Sequence, residues 1–261
     1  MNLKNIFQRY LFRRDFFLKL REKIDWIIRK NTRNALKDQR RLLNNLESGI
    51  ILDVGAHIGE TTESYRKYFP KHKIVCFEPF LESHDYLKMR FINDSNINII
   101  DTALGIKAET KPLYVSNFTN LNSLQRPNER AWGFADKKSI DVEITTLDQF
   151  CYDNDIEYID ILKLDVQGSE LDVLMGSKTL LEKGNISLIY AEWQVVPLYK
   201  EHHEYYKIAE FLAGYEYQFY NLYNINESRS GQIRWADAIY TSKGLRDKMI
   251  SRFGEGTGSG W

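Results

Sequence analysis

The chain has 261 residues, 43% of them hydrophobic and 28% charged, with a formal net charge of zero. That composition excludes disorder as the default, and the length accommodates one large domain with an appendage. The two cysteines, Cys76 and Cys151, lie far apart without CxxC or Cys/His grouping, which supports neither a disulfide framework nor a structural zinc site. No apolar run approaches the roughly 20 residues of a membrane span and the first residues lack a signal-peptide core, so a cytoplasmic location is expected.

The neutral total hides an asymmetry. Residues 1–47 carry 13 Lys/Arg against 5 Asp/Glu, and the remainder 23 against 31. Between Asn2 and Leu46 there is no proline or glycine, and apolar residues recur at helical spacing in Leu3, Phe7, Tyr10 and again in Phe17, Leu20, Ile24 and Ile27. Residues 1–48 are therefore expected to form a basic amphipathic helical arm. Its stripe is expected to pack on the body or on a second copy in a homo-oligomer, with peripheral contact to an anionic membrane as the next choice and nucleic acid the least favoured partner.

From Ser48 onward, short β-branched runs alternate with helical ones, the pattern of a parallel sheet built from βαβ units. Strands are predicted at Ile50 to Val54, Lys73 to Phe77, Ile97 to Thr102, Ile159 to Val166, Ile186 to Glu192, Tyr217 to Leu222 and Ala238 to Thr241. Helices are predicted at Glu60 to Phe69, Leu81 to Asn93, Ser169 to Glu182 and Glu201 to Leu212. Leu113 to Ile144 breaks the alternation and reads as a strand, a long loop and a strand, followed by a helix around Gln149 to Tyr152. The body is assigned to residues 49–253, and the terminal "GEGTGSGW", residues 254–261, to a flexible tail.

"LDVGAHIGETT" puts Asp53 at the end of an apolar strand, with Gly55 and Gly59 before a helix. Glycine permits a sharp turn and close approach to a ligand, and the helix start offers unpaired amides. A dinucleotide fingerprint would need glycine where His57 and Glu60 stand, so a pyrophosphate would meet side chains. Asp53 suits instead a cofactor with positive charge near the turn, such as S-adenosylmethionine. "KIVCFEP" ends a second strand in Glu78, where a carboxylate can accept both hydroxyls of an adenosine ribose.

The ordered set "DVGAHIG", "FEP", "TALG", "TTLD", "LKLDVQGSELDVLMG" and "IYAEW", covering roughly Ile50 to Trp193, resembles the FkbM family of S-adenosylmethionine-dependent methyltransferases. The resemblance implies an α/β, Rossmann-like class I methyltransferase fold with a mostly parallel seven-stranded sheet flanked by helices. It also implies methylation of a hydroxyl on a sugar or polyketide-like acceptor, with Asp53, Gly55 and Glu78 as cofactor contacts. Ala56, His57 and Gly59 of the turn, Pro79, Thr102 and Ala103 beside the adenine, Asp101 toward its amino group and Asp165 complete the expected cofactor set. Such families usually carry asparagine at the position of His57.

Alternation along "ILKLDV" puts Ile161, Lys163 and Asp165 on one face of the strand and Leu162, Leu164 and Val166 on the other. A lysine inside a sheet needs a counter-charge, for which Asp165, Glu170 and Glu192 are the candidates; a direct catalytic role for Lys163 is the alternative. Asp165 is the first candidate base for deprotonating the acceptor hydroxyl, Glu192 the second, and His202 or His203 further candidates. Asp165 and Glu192 together are a candidate pair of ligands for Mg²⁺. "NFTNLNSLQRPNERAWGF" has the polar and aromatic mixture of a carbohydrate lid, including Trp132, and Asp148 reads as a helix N-cap. A catalytically silent cofactor-binding scaffold is the competing class.

Overall fold

The computed structural model describes residues 34–129, 131, 133, 134, 138–200 and 204–253. Most of the basic arm, Trp132, His202, His203 and the tail therefore lie outside the described residues. The described end of the arm is α1 (Ala35–Leu42), capped by Asn34, which accepts from the Lys37 amide.

Seven strands form the main sheet: β1 (Ile50–Val54), β2 (Lys73–Phe77), β3 (Ile97–Ile100), β7 (Ile159–Leu164), β8 (Ile186–Gln194), β9 (Gln218–Glu227) and β10 (Ile233–Thr241), in the order β3-β2-β1-β7-β8-β10-β9. All neighbours are parallel except β10, which runs antiparallel to both β8 and β9. The central strands are β-branched, and every residue of β7 is buried, because helices cover both faces. One face packs Leu52, Val54, Leu162, Leu164 and Ile189 against α4 (Leu147–Asp153), α5 (Glu170–Met175), α6 (Lys178–Glu182) and α7 (Tyr205–Ala213). The other packs Ile51, Ile161, Leu188 and Ile239 against α1, α2 (Glu60–Tyr68), α3 (Leu81–Arg90) and α8 (Lys243–Phe253). The chain builds outward from β1 to β3, then restarts at β7 on the other side of β1. A crevice opens at the carboxyl ends of strands where the order reverses in this way.

Several predicted elements end elsewhere. The third strand stops at Ile100, after which Ala103–Leu104 (β4) leaves the main sheet and pairs with β6 (Lys138–Thr145), itself antiparallel to β5 (Glu109–Val115). Ala103, Leu113, Val142, Ile144 and Phe80 form a separate small core under this second sheet, and that burial draws Ala103 away from β3. The long helix from Ser169 divides at Gly176 and Ser177, because the Gly176 carbonyl accepts from the Asp148 amide. Asp148 does not cap its own helix, whose N-cap is Thr146; its carboxylate receives the Thr179 and Leu180 amides and so caps α6. Strand β9 extends to Glu227, and β10 begins at Ile233. Strand β9 is the edge of the sheet, and its far end, Asn224 to Glu227, is largely polar, as suits that position.

Candidate active site

The turn after β1 is built from left-handed backbone. Gly55 has φ 77°, and a β-carbon there would sit 1.9 Å from the Asp165 carbonyl oxygen, so only glycine lets this turn pass over the end of β7. His57 is also left-handed, with φ 50°. Its amide donates to Glu78 Oε2 at 2.8 Å, and its ring Nε2 lies 2.7 Å from Thr119 Oγ1. Burial lowers the pKa of His57, partly opposed by Glu60 and Asp165, which favours the neutral ring.

Glu78 ends β2 almost wholly buried, its second oxygen accepting from the Phe80 amide at 3.0 Å. Burial pushes its pKa up to about 7 against the pull of these two amides. With two amide donors bound, its remaining lone pairs are free to accept from hydroxyls. The adjoining cavity is lined by apolar Val54, Phe77, Leu104, Leu113 and Val166 and by polar Glu78, Asn120, Asn122 and Asp165. A slot of this kind, with a carboxyl that becomes an acceptor on ionising beside apolar residues, has the donor-accepting and apolar groups that an adenosine would need.

Lys163 and Asp53 lie beneath this cavity rather than in it. Asp53 is fully buried; Lys163 Nζ is 3.0 Å from its Oδ1, and the Thr62 hydroxyl donates to its Oδ2 at 2.7 Å. The same ammonium donates to the Gly55 carbonyl at 2.9 Å and stands 3.7 Å from Asp165. Burial opposes the lysine's charge, but Asp53 and Asp165 outweigh it and hold its pKa above the ordinary value. Neither Glu170 nor Glu192 serves as the counter-charge. Glu170 receives the Val166 and Gly168 amides and shapes the loop after β7.

Asp165 lines the first cavity and also a second one, on the α1 and α2 face, bounded by Glu60, Lys163, Tyr190, Glu192, Asn224 and Asp237. The Tyr190 hydroxyl and the Asn224 amide both donate to Asp237 at 2.7 Å. Burial, and then the charges of Asp165 and Glu170, raise the pKa of Glu192 well above the carboxylate range.

The cavity beside Glu78 thus gathers Gly55, His57, Glu78, Pro79, Ala103 and Asp165 from the expected cofactor set. Asp53, Ala56, Gly59, Asp101 and Thr102 are not among its lining residues. For Asp53 the reason is its inward-facing position on β1, and Ala56 and Gly59 are turned into the packing against α2 and α3. Asp101 is exposed at the break between β3 and β4. His202 is outside the described residues. For the Mg²⁺ expectation, the described residues contain no group of three or more His, Cys, Asp or Glu arranged to hold a metal ion. Sequence reasoning missed Gln167, Tyr190, Tyr199 and Asp237. Only the alternation of "ADAIY" beside "LIYAEW" pointed to Asp237, through its pairing opposite Glu192.

A seven-stranded sheet in this order, with its last-joined strand antiparallel and a carboxylate-edged nucleoside slot at the β1 end, defines a class I S-adenosylmethionine-dependent methyltransferase. The family described as the methyltransferase FkbM domain matches residues 53–219, and the chain belongs to it. Among curated relatives, the 2-O-methyltransferase NoeI of Sinorhizobium fredii (strain NBRC 101917 / NGR234) is 28% identical over 202 residues, covering 72% of this chain and 82% of that protein. The methyltransferase sdnD of Sordaria araneosa is 33% identical over 162 residues, covering 51% and 62% respectively. The solved magnesium protoporphyrin IX methyltransferase ChlM of Synechocystis PCC 6803, with bound SAM, overlaps 79% of this chain and 77% of its own at 7% identity, with a TM-score of 0.45; at that distance the likeness carries no weight here. No helix among the described residues is long and apolar enough to cross a membrane.

Proposed function

We propose that this methyltransferase acts on a hydroxyl oxygen of a sugar or similar polyhydroxylated small molecule. The observation that carries the proposal is that Asp165 lines both cavities, so one carboxylate borders the nucleoside slot and the chamber behind it. The cofactor would be held by Gly55, His57, Glu78, Pro79, Ala103 and Asp165, with Glu78 accepting from ribose hydroxyls. When bound, S-adenosylmethionine supplies a methyl group on a positively charged sulfur that a nucleophile can displace.

The second chamber would receive the acceptor. An ionised carboxylate there accepts hydrogen bonds, a protonated Glu192 donates one as well, and each hydroxyl of a polyol can meet either need. Glu192 and Asp237 would orient neighbouring hydroxyls while Asp165 takes the proton of the reacting one as its new bond to carbon forms. The name of the relative NoeI, a 2-O-methyltransferase, supports oxygen as the acceptor atom.

The test joins calorimetry with S-adenosylhomocysteine to label transfer from isotope-labelled S-adenosylmethionine. Acceptors would be methyl glycosides of hexoses and hexosamines, run beside phenols and hydroxy acids. Label on glycosides, lost in Asp165→Asn, is the expected result. Label confined to phenols or hydroxy acids would overturn the sugar class, and no label on any hydroxyl would overturn the proposal.

A further inference from the structure

Gln167 lines the cavity beside Glu78, and its side chain reaches from there to Glu192, which lines the second chamber. Its backbone is left-handed, φ 54°, in the loop that follows β7. Side chains other than glycine, asparagine and aspartate rarely adopt that conformation, and it persists where surroundings over-determine it. The surroundings do so here. The Ser123 hydroxyl donates to the Gln167 carbonyl at 2.7 Å, and the side-chain Oε1 accepts from the Tyr199 hydroxyl at 3.2 Å and the Gln194 amide at 3.3 Å. Tyr199 is itself tied to the Leu121 carbonyl, so the loop between β5 and β6 joins the clamp.

With its oxygen and backbone fixed in this way, the amide nitrogen faces the acids. It donates to Asp165 Oδ1 at 3.0 Å and to Glu192 Oε2 at 3.2 Å. One NH₂ group has two hydrogens, and both are used on carboxylates from different strands. Without it, two acids would face each other at the mouth of the second chamber with only Gln194 donating to Glu192, at 3.1 Å.

We propose that Gln167 is a positioning residue: its amide nitrogen holds Asp165 and Glu192 at a fixed spacing, so that an acceptor meets both carboxylates already aligned. This rests on the reading that methyl transfer occurs where the two cavities meet. The groups that face Glu192 are Asp165 after β7, Glu170 on α5, Asp237 on β10 and Tyr199 on the segment after β8, while Lys163 and Glu60 line the same chamber.

Two variants separate positioning from folding. Gln167→Gly adopts φ 54° without strain, which offsets part of the stability lost with the side-chain hydrogen bonds while removing the amide. Gln167→Asn tolerates the same backbone but is one methylene too short to reach both acids. The primary readout needs no acceptor: the Glu192 carboxyl is titrated by ¹³C NMR with S-adenosylhomocysteine present, its resonance identified with Glu192→Gln. Both variants should titrate higher by about one pH unit; because Gln167 also lines the cavity beside Glu78, affinity for S-adenosylhomocysteine is measured alongside by calorimetry. On any glycoside that is turned over, kcat at saturating S-adenosylmethionine should fall at least about tenfold, a loss that weaker cofactor binding does not produce. An unmoved Glu192 titration in a folded variant would overturn the proposal. Failure of the wild type to bind S-adenosylhomocysteine would instead count against the methyltransferase site, and the Glu192 titration would still decide the role of Gln167.

Discussion

Lys163 and Asp53 form an ion pair of 3.0 Å across adjacent central strands, with 4% and 0% of their side chains exposed. The register sets them side by side, Asp53 opposite Lys163. Removing one partner leaves a buried charge alone, which costs about 3–5 kcal/mol. Lys163→Met should lose about that much in urea unfolding, and Asp53→Asn a comparable amount. The double variant should lose clearly less than the two added together, because it leaves no stranded charge.

Glu78 gives the site a pH dependence whose sign is fixed by its burial. Its carboxyl is raised from the ordinary 4.5 to about 7 in the native state. Between those values the native protein keeps a proton that the unfolded chain has lost, so the stabilisation is present below about pH 4.5 and is lost as pH rises through about 7. Glu78→Gln should remove at most about 3 kcal/mol of that slope, seen as a difference between wild type and variant that changes from pH 5 to pH 8 in urea unfolding. Affinity for S-adenosylhomocysteine should run the other way, strengthening as Glu78 ionises. The variant should bind about tenfold or more weakly at pH 8, since a hydrogen bond to a charged acceptor contributes about 1.5–3 kcal/mol.

Asp165→Asn keeps the size and most contacts of the side chain but cannot take a proton. General-base groups typically contribute about 10²- to 10⁴-fold. The expected outcome is a fall of that order in kcat on a responsive glycoside at saturating S-adenosylmethionine, well beyond any loss of affinity for S-adenosylhomocysteine seen by calorimetry.

Two glycines with positive φ should respond very differently to alanine. At Gly231, φ 85°, no atom lies within 4 Å of an added β-carbon, so Gly231→Ala meets only the backbone penalty, about 1–2 kcal/mol. At Gly55 the β-carbon adds a collision with backbone at 1.9 Å, which neither strand can relieve without moving. Gly55→Ala should lose at least about 3 kcal/mol in thermal or urea unfolding and fail to bind S-adenosylhomocysteine.

Much of this was legible in the sequence because local chemistry and tertiary position agree. "IILDV" and "KIVCF" become strands over the predicted residues, and the turn glycines and Glu78 fall where their spacing put them. Asp53 shows the limit: a strand-end acid looks like a ligand contact until the partner strand supplies a lysine opposite it, which only register reveals. Asp148 fails as a local cap for a similar reason, since the amides it caps are 31 and 32 residues away. Gln167 is invisible to any motif argument. Its role depends on Ser123, Gln194 and Tyr199, whose proximity to it is purely tertiary.

The departure of the chain from the main sheet after Ile100 has a wider consequence. The β4-β6-β5 sheet satisfies its backbone through its own ladders and buries its own small set of apolar residues. The stretch between Val115 and Lys138 is tied to the seven-stranded scaffold by single contacts instead: Pro127 bridges Tyr199 and the Ser123 hydroxyl donates to the Gln167 carbonyl, while Asn120 and Asn122 line the cavity beside Glu78. A change of length there would therefore be felt twice, in the wall of that cavity and in the seat of the loop that follows β7.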